Sequence, residues 1–142
     1  MESDDVNRIR QADGAAELLE ARYDFQRNAC TEATEAVERL EQRLFELAGA
    51  DDGVVGPEFQ ASGAAMAWRL WAEQRRETIL LELANARADQ AQQKAKLRKA
   101  YGRMSAMRQI TETMQGARRS EVSRKAADVM SEVIVAAAVC QR

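Results

Sequence analysis

The chain has 142 residues, a size that predicts one domain. It is 46% hydrophobic but only 5% aromatic, and much of the apolar fraction is alanine beside Glu, Arg, Gln and Leu; that composition belongs to long helices and disfavours sheet. The formal charge of −2 comes with no histidine at all, which excludes His ligands, His general bases and Ser-His-Asp catalysis.

Ser3, followed by Asp4 and Asp5, reads as a helix start: a cap, then acids near the positive end of the helix dipole. From there a heptad pattern runs through Ile9, Ala12, Ala16, Leu19, Tyr23, Gln26, Cys30, Ala33, Val37, Leu40, Leu44 and Leu47. Eleven of these twelve residues are apolar or aromatic, and Gln26 is the polar one. A strip repeating every 3.5 residues winds around a helix as a left-handed seam and needs a partner helix. The seam predicts roughly 58 Å of helix at 1.5 Å per residue. Helix one is placed at about 4–48, with Gly14 a weak point costing about 1 kcal/mol against alanine.

Gly49, Gly53, Gly56 and Pro57 predict a stop and a loop over 49–63. Pro57 suits a first helical turn, Glu58 to Ala61 is a candidate short helical piece, and Ser62-Gly63 offers a further cap. Helix two is placed at about 64–140, roughly 115 Å if unbroken, with Gly102 and Gly116 the weak points. Its seam holds one register at Ile79, Leu83, Ala86, Gln90, Gln93, Leu97, Ala100, Met104, Met107, Thr111 and Met114. Val122, Ala126, Val129, Val133, Ala136 and Cys140 hold another, with a stutter predicted near Gly116. The expected fold is all-α: a long antiparallel two-helix coiled-coil hairpin, one coiled-coil domain over 1–142, with the second helix longer. Helix one reaches as far as about residue 120 of helix two, and the remainder projects or folds back.

Charge supports that pairing. Residues 1–56 hold 14 acids and 6 bases, net −8, while residues 57–142 hold 9 acids and 15 bases, net +6. Exposed ion pairs between the arms add only about 0.2–1 kcal/mol each, so the asymmetry selects partner and orientation more than it stabilises.

No residue pattern points to catalysis, a cofactor or a metal. Cys30 and Cys140 are too far apart in sequence to form a zinc motif, no phosphate-cradling loop occurs, and the many carboxylates sit at solvated-face spacing. The chain is therefore read as a non-enzyme. With no basic-apolar leader and no apolar run of about 18 residues, the expectation is a cytoplasmic protein with reduced thiols.

Three segments are candidate contact surfaces. Trp68 and Trp71 share a helix face beside Met66 and Leu70; they either plug the closed end of the hairpin or form a docking patch. Residues 94–125 hold ten Lys or Arg against Glu112 and Glu121. With only Tyr101 as an interleaved aromatic, this reads as a solvated basic face against acidic helix one, ahead of an acidic protein partner; nucleic acid is not expected as a partner. Residues 126–140, with Val129, Val133, Ile134 and Val139, turn apolar almost all round near their end. They are too short to cross a bilayer, so they either cap this chain's own coil, insert into another protein or self-associate.

The layout resembles the FliJ/YscO family of flagellar and type III secretion export stalk proteins: about 140 residues, an acidic first coil, a Gly-Pro turn, an aromatic patch and a longer basic second coil. Ala64-Ala65-Met66-Ala67-Trp68-Arg69-Leu70-Trp71 followed by Ile79-Leu80-Leu81 stands where that family has its aromatic-aliphatic segment, and Lys99-Ala100-Tyr101-Gly102-Arg103 is similar to a second-helix stretch of some members. The resemblance implies a cytoplasmic coiled coil that meets the inner membrane only through the export apparatus. It implies the export ATPase ring and the export gate protein as partners. Trp68, Trp71 and Ile79 would fall in the gate-binding region, and residues near 4–20 and 118–142 would enter the ring. Family members usually finish in charged sequence, whereas Ser131 to Cys140 is apolar. A coiled-coil oligomerisation or adaptor protein unrelated to secretion is the alternative, and a helical protein associated with nucleic acid is the third reading.

Overall fold

In a computed structural model, the backbone is described for residues 2–53 and 63–140, and side chains for 4–50 and 63–137. Two long helices, α1 (Glu2–Gly53, 52 residues) and α2 (Ala64–Cys140, 77 residues), make up the described chain apart from Gly63. The alanine, glutamate, arginine, glutamine and leucine content favours this, because these side chains lose little rotamer freedom in a helix.

The helix ends differ in detail from the sequence reading. Ser3 lies inside α1 rather than capping it, since the helix is already formed at Glu2. At its other end α1 continues past Gly49 to Gly53. One helical glycine costs only about 1 kcal/mol, which the i→i+4 bonds on either side can carry. Pro57, the Glu58–Ala61 piece and Ser62 lie outside the described residues. Gly63 precedes α2 with φ of 71°, a left-handed conformation that glycine adopts without a Cβ penalty. Its carbonyl accepts the Ala67 N–H at 3.3 Å, closing the first turn. Neither Gly102 nor Gly116 interrupts α2.

Contacts divide the chain into two units, Met1–Arg22 with Tyr101–Arg142, and Tyr23–Ala100. In the second of these, Ala33, Val37, Ile79, Leu83 and Ala100 are buried. Tyr23, Gln26, Cys30, Leu40, Leu44 and Leu47 of α1 are half-buried, as are Ala86, Gln90, Gln93 and Leu97 of α2. Three cross-helix links fix the direction. Gln26 Nε2 donates to Gln93 Oε1 at 2.7 Å, Gln90 Nε2 donates to Thr34 Oγ1 at 3.1 Å, and Arg87 Nη2 donates to Glu41 Oε1 at 2.7 Å. Numbers rise along α1 as they fall along α2, so the helices are antiparallel.

The other unit repeats the plan. Ala12, Met104 and Thr111 are buried, with Ile9, Ala16, Leu19, Met107 and Met114 half-buried. Arg108 forms an ion pair with Glu20, and Gln115 Nε2 donates to Asp13 Oδ1 at 3.1 Å. Every seam position named for α1, and every one named for α2 from Ile79 to Met114, is buried or half-buried. The fold is all-α, an antiparallel two-helix coiled-coil hairpin whose second helix is the longer.

Candidate interaction surfaces

In a two-helix coil each helix has one covered stripe, so any side chain off that stripe faces solvent or a partner. Among the partner-contact candidates, Ile79 is on the stripe. It is 2% exposed and forms part of the seam, so it presents no side chain to a partner. The reason is its register: Ile79 and Leu83 are four residues apart and both fall on the face toward α1.

Trp68 and Trp71 do come together. Their ring centroids are 4.9 Å apart with planes tilted by 31°, a spacing at which aromatic pairs attract. Trp68 is half-buried and Trp71 is half exposed. The Trp68 Nε1–H is buried and has no acceptor among the described residues. Met66 and Leu70 beside them are exposed. Nearby, Leu44, Leu47 and Ala48 of α1 face Ala72 and the stems of Arg69 and Arg76 of α2 across a shallow groove. One ring of the pair is packed in and the other is exposed.

The basic residues of 94–125 lie on exposed positions of α2. Arg108 is committed to Glu20 of α1, as charge complementarity between the arms predicts. Glu121 and Lys125, one turn apart, are linked at 3.0 Å. The Lys125 hydrogen bond, then its charge, holds the Glu121 carboxyl below the ordinary glutamate range. A depressed carboxylate is linked to structure above its unfolded pKa and loses that link as pH falls through its folded pKa. We expect an NMR titration of Glu121 to give a midpoint below the ordinary value, and Lys125→Met to return it upward. An unchanged midpoint in that variant would disprove the assignment to Lys125.

The third surface is the far part of α2. Residues 121–137 are all exposed, including Val122, Val129, Met130, Val133, Ile134 and Val135 at 54–64%. Val129, Val133 and Ile134 thus lie open on a regular helix; the Val139 side chain lies outside the described residues. This is the apolar segment without cover from α1. The described residues contain no cluster of His, Cys, Asp or Glu able to hold a metal ion, and no helix long and apolar enough to cross a membrane.

Sequence reasoning did not anticipate the polar links inside the seam. Gln26, Gln90 and Gln93 were legible as polar seam positions. That Gln26 meets Gln93, and Gln90 meets Thr34, required the helix offset, which heptads alone leave open. No family model, curated protein or solved structure matches this chain.

Proposed function

We propose that this chain is a non-enzymatic coiled-coil stalk or adaptor of the FliJ/YscO kind, docking to the export ATPase ring and the export gate in flagellar or type III protein export. The observation that carries the docking role is the set of exposed apolar side chains between Val122 and Val135, on a helix that extends past its pairing with α1. Soluble surfaces seldom leave such a stretch open unless something covers it. The likeness of layout, from the acidic first coil to the aromatic patch and basic second coil, points to the export machinery as the setting. Residues 118–140 engage the ring, and Trp71, supported by Trp68, is the contact toward the gate. The protein works in the cytoplasm and reaches the inner membrane only through those partners.

The test is ATP turnover by the cognate export ATPase, with and without this protein at a few molar equivalents. We expect turnover to rise together with hexamer formation, and the rise to vanish when 126–142 is deleted. Unchanged turnover, with no co-elution on a sizing column, would overturn the reading and leave a coiled-coil adaptor unrelated to secretion.

A further inference from the structure

The seam facing α1 follows Met104, Met107, Thr111 and Met114. Continued at the same spacing, it reaches Arg118 and Glu121, which are charged and exposed. Both line a shallow groove with Asp5, Arg8 and Ile9 in the first turns of α1. From 121 to 137 every residue of α2 is exposed, so the intramolecular seam ends there. A separate apolar strip begins at Val122 and continues through Ala126, Val129 and Val133 at alternating four- and three-residue steps. All four residues are exposed. This is a coiled-coil stripe in a new register, on a formed helix, and it needs a partner other than α1.

We propose that, in the free protein, this partner is the same strip of a second copy, packed antiparallel, and that engagement with the ring displaces it. In that alignment Val122 lies opposite Val133 of the second copy, and Ala126 lies opposite its Val129. Twofold symmetry repeats both layers, so the small Ala126 is matched by a larger Val129 each time. The flanking charges settle the direction. Lys125 falls beside Glu132 of the second copy, and Glu132 beside its Lys125, giving two opposite-charge pairs from one symmetric arrangement. A parallel pairing would instead set Lys125 beside Met130 and Glu132 beside Ala137, with no charge complement at either position. Lys125 already holds Glu121 on its own helix, and its three donors allow it to serve both carboxylates. The exposed Met130 flanks the strip and widens the apolar contact.

Four layers of Val and Ala make a short interface, so the association is weak and reversible. Sedimentation equilibrium of the full chain over roughly 10–500 µM, a range suited to weak complexes, tests it. We expect a concentration-dependent dimer. Val129→Glu should weaken it at least about tenfold, and Lys125→Glu or Glu132→Lys alone should weaken it severalfold. The double exchange Lys125→Glu with Glu132→Lys should recover most of the loss, because each pair is restored with its signs reversed. These positions are exposed in the single chain, so circular dichroism should show every variant as helical as the parent. A monomer throughout the range, a dimer indifferent to Val129→Glu, or a double exchange that recovers nothing would each overturn the proposal. No ATPase enters this experiment, so its failure is separate from failure of the export reading.

Discussion

Replacing Leu83 by alanine is expected to lower the stability of the Tyr23–Ala100 unit by about 2–4 kcal/mol, the range for deleting a buried leucine side chain. Leu83 is 5% exposed and stands one turn from Ile79 in the seam. The few large side chains there leave the site little to collapse onto. Leu81, two residues away and 66% exposed, is the control: Leu81→Ala should change stability by less than about 0.5 kcal/mol. Urea unfolding followed by fluorescence of Trp68 and Trp71 reads this unit directly. Equal effects at the two positions would mean that the seam is not where this unit derives its stability.

The second expectation concerns Gln26 and Gln93. Their 2.7 Å hydrogen bond is half-buried between the helices. Gln93→Leu alone leaves the Gln26 amide facing an apolar side chain and should cost about 1–2 kcal/mol. Gln26→Leu together with Gln93→Leu removes both polar groups, and that variant should be at least as stable as the parent. A polar pair inside a seam fixes register, and its loss should allow alternative offsets of α1 against α2. A double-mutant cycle measures the coupling, expected at about 0.5–1.5 kcal/mol, and broadened amide resonances in the double variant would report mixed registers. Additive single effects, with sharp spectra throughout, would deny the pair this role.

Much of this architecture was readable from residue spacing alone. Ile9 through Leu47 and Ile79 through Met114 repeat at 3.5 residues, and an antiparallel coil must bury such a stripe whatever its other features. Helix ends were less legible. Gly49 and Gly53 carry the same local preference, and α1 passes Gly49 because a one-glycine penalty is small beside continued helix bonding. Gly102 and Gly116 likewise remain helical, and a Cβ at either would meet nothing within 4 Å. Ile79 shows the limit for sites. Its place in an aromatic-aliphatic segment suggested contact, whereas its register placed it inside. Val129, Val133 and Ile134 could be identified as apolar from sequence, but whether anything covered them depended on where α1 ended its pairing.

The thinness of the seam also governs how this molecule responds to heat and cold. Among the described residues no large side chain is below 2% exposure, and three of the seven buried apolar residues are alanines. Unfolding therefore exposes less new surface than it would in a compact domain of the same length. The heat capacity of unfolding comes mainly from newly wetted apolar area, so it must fall below the usual ~12–15 cal/mol/K per residue. A small heat capacity flattens the dependence of stability on temperature. Such a protein keeps a modest stability over a wide thermal range, with cold denaturation pushed far below freezing.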